Sequence, residues 1–408
     1  MSQKKKKKNK KWLKFRHKVV HAILRLPISL LCRVMYGIKI EKYRVKEKRP
    51  YLILYNHQTA FDQFFVGVAF KRPIYYMATE DIFSNGWVSS LIKYLVEPIP
   101  IKKQTTDIKA ILNCMRVGKE GGSICIAPEG NRTYSGETVY MSPAISSLAR
   151  KLGMPVMLFR IEGGYGVQPR WSDVRRKGKM RAYVSRVIEP EEYKDMTDAE
   201  LFKAIKNELY VNEASVKGEF HSKHLAEYLE RTIYTCPDCG LTTLESKGDI
   251  VECKKCGKRV RYLPTKELQG VNCEFPHHFV LDWYNAQSDF VNSLDLSKYY
   301  DVPMYEDHAE IKEVIPSVEK IPWCPCAKIR LYGNRIEIEA KETVDMTFSF
   351  NETSTVTVLG RNKLNIYHGG KIYQLKGDKR FCALKYVHIF NRYKNISKGD
   401  ENDKFLGL

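Results

Sequence analysis

The chain has 408 residues, too many for one ordinary core of about 100 to 200 residues, so two or three domains are expected. Its formal net charge of +21 exceeds what solubility requires and points to a polyanionic partner: nucleic acid, an anionic membrane surface or phosphorylated substrates. Eleven cysteines, an odd number in a chain this long, argue against a secreted disulfide framework and for an intracellular compartment.

The first stretch, MSQKKKKKNKKWLKFRHKVVHAILRLPISLLCRVMYGIKI, passes from a lysine run into a basic and apolar alternation with Trp12, Leu13, Phe15, Val19, Val20, Ile23, Leu24, Leu26 and Leu31. Residues 1–44 are therefore expected to form a polybasic arm and an amphipathic helix on an anionic membrane surface. A nucleic-acid-binding arm or a solvated leader is the alternative, but neither has need of Trp12, Phe15 and Leu24. His21, Arg25 and Arg33 interrupt the apolar run and no small-residue cleavage site follows, unlike a secretory signal. No uninterrupted apolar segment approaches the roughly 20 residues of a spanning helix. The expectation is a helix that lies on the bilayer without crossing it, on the cytoplasmic face.

Residues 45–215 alternate short apolar runs with longer amphipathic ones. Strands are expected at 51–55, 73–78, 123–128, 155–161 and 180–188, and helices at 61–70, 105–118 and 143–152. This is an α/β pattern, an open sheet flanked by helices. In ILYNHQTAFDQFF, His57 and Asp62 lie five apart, about 140° around one continuous helix, so they could not share a face there. If the strand ends at Tyr55, however, Asn56 and His57 turn out at its carboxyl end. Asp62 then sits on the first turn of the next helix and reaches back to Nδ1. That pairing fixes a tautomer and leaves Nε2 free to accept a proton. A satisfied structural histidine is the plainer reading of these two residues alone.

A second polar turn, CIAPEGNRTYSG, also leaves an apolar strand and presents Glu129, Arg132 and Thr133. Arg132 offers a planar fork suited to phosphate, and Gly130 allows close backbone approach. A surface loop with a solvated arginine is the alternative, but a base and an anion clamp at two strand ends describe one binding crevice. Cys125, within the strand, reads as a small core residue and not a nucleophile.

NHQTAFD resembles the NH-x4-D motif, and PEGNRTYSG the EGTRS-like motif, of the glycerolipid acyltransferases typified by 1-acylglycerol-3-phosphate acyltransferases. EPIPIKK and MPVMLFRI are similar to two further family blocks in the same order, and the resemblance spans about residues 45 to 190. Asn131 replaces the usual threonine, Lys103 the usual arginine, and the last block lacks its second proline. The resemblance implies acyl transfer from acyl-CoA or acyl-carrier protein to a lysophospholipid hydroxyl, most simply 1-acylglycerol-3-phosphate, without a catalytic cofactor. It implies His57 as general base and Asp62 as its orienter. Lys103, Glu129, Gly130, Asn131, Arg132 and Thr133 would hold the acceptor. The absence of a G-x-S-x-G elbow agrees with direct attack and no acyl-enzyme.

MTDAELFKAIKNELYVNEAS is expected to be a helix capped by Thr197 or Asp198. Residues 230–265 come next, with Cys236, Cys239, Cys253 and Cys256 as two C-x2-C pairs, each followed by a turn glycine, Gly240 or Gly257. This spacing predicts a zinc ribbon with a closed structural site. Cys273, Cys324 and Cys326 are expected to be free, and GGYGVQ lacks the lysine of a P-loop. Residues 280–400 are expected to form a β-rich domain closed by a helix, an element order reminiscent of the pleckstrin-homology/GRAM superfold. The rival functions are a non-catalytic lipid-binding adaptor and a zinc-ribbon nucleic-acid-binding protein. On the leading reading, no nucleic-acid partner is expected.

Overall fold

The computed structural model describes residues 11–44, 48–83, 86–101, 107–138, 140–316, 318–340, 343–399 and 405–407. They divide into two units. One comprises residues 1–130, 141–161 and 180–210; the other comprises 131–140, 162–179 and 211–408. The segments 131–140 and 162–179 lie inside the 45–215 span yet group with the C-terminal part of the chain.

The first unit is an α/β sheet with helices. Its elements are α1 (Phe15–Tyr36), β1 (Ile38–Ile40), β2 (Leu52–Tyr55), α2 (Asp62–Ala69), β3 (Ile74–Thr79), α3 (Gly86–Leu95), β4 (Ile99–Ile101), α4 (Ile108–Lys119), β5 (Ser123–Ile126), α5 (Ala144–Leu152), β6 (Val156–Glu162) and β7 (Met180–Ile188). The strands are ordered β1-β7-β6-β2-β5-β3-β4, and β2 pairs in parallel with both β5 and β6. All four residues of β2 are buried, as its unbroken apolar run requires of a central parallel strand. On one side of the sheet, Leu52, Leu54, Ile124, Val156 and Leu158 pack with Val117 of α4, Ile145 and Ala149 of α5, and Leu201 and Ile205 of the helix Asp198–Leu209. Thr197 caps that helix, its Oγ1 accepting from the amide of Glu200 at 3.2 Å.

Helix α1 bears on the membrane expectation. It runs 22 residues and is long and apolar enough, by length and composition, to cross a membrane, because its most apolar window holds at most two charged residues. Many of its apolar side chains face outward. The side facing its own unit mixes polar contacts with buried Cys32 and Tyr36: His17 Nδ1 lies 3.1 Å from the Tyr75 hydroxyl, His21 donates to the Phe70 carbonyl at 3.1 Å, and Arg25 donates to that of Val68 at 3.0 Å. The side facing away is apolar, with Phe15 78% and Val34 76% exposed beside Ile23, Leu26 and Leu30. In α3, Trp87, Leu91 and Tyr94 are also exposed. That helix, with the three-residue strands β1 and β4, is absent from the sequence reading.

The second unit holds the ribbon and the terminal domain. Strands Leu244–Lys247, Ile250–Cys253, Arg259–Tyr262 and Leu268–Gly270 form one antiparallel sheet beside the short pair Thr235–Cys236 and Gly240–Leu241. A larger antiparallel sheet of seven strands starts at Tyr305, inside the expected 280–400 span. Its order is Thr343–Ser349, Arg335–Ala340, Glu319–Leu331, Tyr305–Ile315, Lys371–Gly377, Lys363–His368 and Thr353–Leu359. Gly369 and Gly370, at φ 56° and 75°, make the two-residue hairpin that joins Lys363–His368 to Lys371–Gly377. The helix Ala383–Ser397 closes the domain, with Tyr386, Val387, Ile389 and Phe390 buried in one cluster with Ile311, Leu364 and Leu375.

Candidate active site and cysteine cluster

β2 and β5 are neighbouring parallel strands, so the turns that succeed them leave the same edge of the sheet. Asn56 is fully buried at the end of β2 and extends the ladder with its side chain: Nδ2 donates to the Ile161 carbonyl at 2.8 Å, and Oδ1 accepts from its amide at 2.7 Å. The backbone can then turn away and present His57.

The Asp62 carboxylate, fully buried at the first residue of α2, lies 2.8 Å from His57 Nδ1. It also accepts from the Gln58 amide at 2.6 Å, the Thr59 amide at 2.9 Å and the Thr59 hydroxyl at 2.6 Å. Every partner of this carboxylate is a donor, so the imidazole proton belongs on Nδ1 and the lone pair on Nε2. The helix start adds a favourable partial charge.

Glu129 joins the two turns: its Oε1 accepts from the His57 amide at 2.8 Å. Burial pushes its carboxyl up to about 8, with the Asp62 charge adding to the rise and the His57 amide opposing it. Near neutrality the side chain is mostly uncharged and can hold the loop without repelling an anion. Gly130, at φ 68°, makes the turn out of β5, its amide donating to the Ala127 carbonyl at 3.0 Å. Burial raises the Cys125 thiol well above its ordinary range, unlike a nucleophile.

Asn131, Arg132 and Thr133 belong to the second unit. There, the Arg132 carbonyl accepts from Arg170 at 3.0 Å, and Arg170 lies over the Tyr134 ring, 4.0 Å from its centre. The Thr133 hydroxyl is engaged in its own turn, donating to the Glu137 carbonyl at 2.8 Å and accepting from the Gly136 amide at 2.9 Å. Lys103 lies outside the described residues. Sequence reasoning missed Asn56, Gln58 and Thr59, whose amides and side chains build the site although they flank the histidine in the same motif.

The sulfurs of Cys236, Cys239, Cys253 and Cys256 all lie within 4.8 Å of one another, and those of Cys236 and Cys256 are 3.7 Å apart. Tetrahedral zinc with bonds of ~2.3 Å sets sulfurs ~3.8 Å apart, so the cluster fits that ion. Gly240 and Gly257 take φ of 67° and 72° in the two knuckles.

Residues 37–161 match a family model described as Acyltransferase, and residues 229–265 match a zinc-ribbon model described as DNA directed RNA polymerase, 7 kDa subunit. The chain is similar to the chloroplastic 1-acyl-sn-glycerol-3-phosphate acyltransferase LPAT1 of Arabidopsis thaliana, 25% identical over 43% of this chain and 50% of that one. It is also similar to the 1-acyl-sn-glycerol-3-phosphate acyltransferase of Bacillus subtilis (strain 168), 22% identical over 44% of this chain and 87% of the relative. The chain thus spans about half the length of the chloroplast relative. Among solved structures, the 1-acyl-sn-glycerophosphate acyltransferase PlsC of Thermotoga maritima aligns with a TM-score of 0.39 and 19% identity, over 47% of this chain and 75% of that one. Residues 37–161 thus carry an acyltransferase domain, in a chain that also carries a zinc-ribbon segment at residues 229–265.

Proposed function

We propose that the protein transfers a fatty acyl group from an activated donor, acyl-CoA or acyl-carrier protein, to the hydroxyl of a lysophospholipid. The acceptor proposed is 1-acylglycerol-3-phosphate and the product phosphatidic acid. The observation that carries this reading is the His57–Asp62 pair, 2.8 Å apart, with a carboxylate surrounded by donors. The acceptor hydroxyl attacks the acyl carbonyl as His57 Nε2 takes its proton, and Asp62 stabilises the imidazolium. Collapse of the tetrahedral intermediate expels the thiolate, which recovers the proton from His57. Glu129, Gly130, Asn131, Arg132 and Thr133, with Lys103, hold the acceptor phosphate, Arg132 through its fork of donors.

The polybasic arm and the outward face of α1 hold the protein on an anionic membrane, on its cytoplasmic side. Because His17, His21 and Arg25 dock the first half of α1 against its own unit and Cys32 and Tyr36 are buried toward its end, lipid surrounds only the other face. Zinc at the four cysteines holds the ribbon folded; four thiolates leave no position for substrate.

The test is mass spectrometry of the products formed from several lysolipids with each donor, by the wild type and by His57→Ala. The expected result is a diacyl phospholipid, greatest with the phosphate-headgroup acceptor, and a loss of about 10²- to 10⁴-fold in the variant. Near-normal turnover by folded His57→Ala overturns the mechanism. No product with any lysolipid favours the adaptor.

A further inference from the structure

The segment 162–179 of the second unit carries a buried cation that no side chain neutralises. Arg170 is 4% exposed, and its guanidinium makes one hydrogen bond among the described residues, from Nη1 to the Arg132 carbonyl at 3.0 Å. Its Nε is buried without a partner. No carboxylate among the described residues bears on its charge. The groups that do are the hydroxyls of Tyr134 and Tyr284, and burial raises both, so that they stay uncharged near neutrality. Other buried arginines of the same unit differ. Arg231 is matched by Asp173 and the carbonyls of Trp171 and Lys379, and Arg176 by the Tyr262 hydroxyl and the carbonyls of Gly166 and Leu225.

A charge taken out of water is costly unless an opposite charge and hydrogen bonds meet it. Tyr134 adds a second unsatisfied group at the same place. Arg170 lies over its ring, 4.0 Å from the centre, and the Tyr134 hydroxyl is buried with no partner. The backbone beneath Arg170 is fixed. The Ser172 amide donates to the Pro169 carbonyl at 3.1 Å, and Trp171, 1% exposed, donates from Nε1 to the Tyr165 hydroxyl at 3.2 Å. Donors held in place before a ligand arrives bind it at a smaller ordering cost.

We infer that Arg170 and the Tyr134 hydroxyl, together with Arg132, form an anion site that takes the phosphate monoester of the acceptor. The identity of the ligand rests on the proposed acyl transfer; the existence of the site does not. A guanidinium fork and a hydroxyl donor suit a tetrahedral dianion. A zwitterionic headgroup brings a single negative charge and a trailing cation that this cluster repels, so the site selects phosphate-headgroup acceptors.

The full chain is tested with Tyr134→Phe, Arg170→Met and Arg170→Lys. Calorimetry follows the binding of glycerol 3-phosphate, with glycerol as the blank, and acyl incorporation is compared between lysophosphatidate and lysophosphatidylcholine. Tyr134→Phe separates binding from packing, because a hydroxyl without a partner adds nothing to the unliganded fold. Its Tm should hold or rise while glycerol 3-phosphate binding weakens about threefold to tenfold. Arg170→Met should weaken that binding by about tenfold or more and narrow the preference for lysophosphatidate in kcat/KM, with Arg170→Lys restoring part of the affinity. Unchanged affinity in folded Tyr134→Phe and Arg170→Met overturns the inference, as does the absence of wild-type binding at millimolar ligand. Weakened binding with the acceptor preference intact overturns the assignment to the acceptor. A wild type that binds glycerol 3-phosphate through these residues yet acylates no lysolipid refutes the proposed transfer and supports the anion site.

Discussion

Asp62 has more to do than sit beside an imidazole: it gathers the Gln58 and Thr59 amides, the Thr59 hydroxyl and His57 Nδ1 onto one buried carboxylate. Asp62→Asn keeps the volume but brings an NH2 group into a ring of donors. It is expected to cost about 10²- to 10⁴-fold in acyl incorporation per folded protein, with a smaller loss of stability. Turnover near wild type would exclude the orienting role. Glu129 supplies a pH-dependent signature. Burial lifts its folded pKa to about 8 from an ordinary 4.5, so between those values the native state holds a proton that the unfolded chain has released. Stability from this group is full below about pH 4.5 and declines as pH rises through 8. Glu129→Gln can still accept the His57 amide through Oε1 but no longer titrates. The fall in Tm between about pH 5 and about pH 9 should therefore be shallower in the variant. Glu213, raised by burial to about 7, declines in the same direction in both proteins, so the difference isolates Glu129. Parallel Tm profiles would show that Glu129 is not buried as a neutral acid.

Among the elements, α1 turns the most apolar surface outward, with Phe15, Ile23, Leu26, Leu30 and Val34 exposed. Ile23→Asp with Leu30→Asp alters only the outward face, since both side chains are about 65% exposed. Each is worth about 1.5 to 3 kcal/mol when buried in an apolar medium. The pair should reduce co-sedimentation with anionic vesicles by about 10²-fold or more while leaving Tm nearly unchanged. Undiminished vesicle binding would move the membrane contact elsewhere. Removing the whole arm is a poorer test, because Trp12 and Tyr36 are buried and would leave gaps in the fold. The ribbon is a different kind of element, with short strands and little apolar core of its own. Cys253→Ser with Cys256→Ser should release zinc, lower Tm and open residues 230–265 to protease, with turnover falling only as folded protein is lost. Elemental analysis without zinc in the wild type would refute the site. Full stability with selective loss of turnover would overturn its structural role.

At the scale of the whole molecule, the features legible in the sequence are those that depend on near neighbours. The central strands stand out as unbroken apolar runs, the cysteine pairs by spacing, and the approach of His57 to Asp62 is implied once the strand stops at Tyr55. Asn56 was not legible, because its partner Ile161 lies 105 residues away. Helix α3 was missed because Trp87, Leu91 and Tyr94 are exposed, and α1 was judged by its interruptions instead of its length. The membership of 131–140 and 162–179 in the second unit was equally hidden, since it rests on distant partners. Tyr134 and Trp171 lie in the cluster built from residues beyond 224; Gly163 donates to Glu213 at 2.8 Å, and Asp173 pairs with Arg231 at 2.7 Å. Residues 1–210 expressed alone should therefore fail to give a stable fold, as judged by a cooperative melt and a monomeric gel-filtration peak. A well-folded fragment would show those two loops to be independent of residues 211–408.

The chain passes between its units at 130/131, 140/141, 161/162, 179/180 and 210/211. In evolutionary terms, such an arrangement cannot be acquired or discarded by one fusion or one deletion. Inheritance of the distal half and of the residues just after Glu129 and Gly130 is thereby linked: recombination with a shorter acyltransferase at any single breakpoint would separate those residues from the partners that shape them.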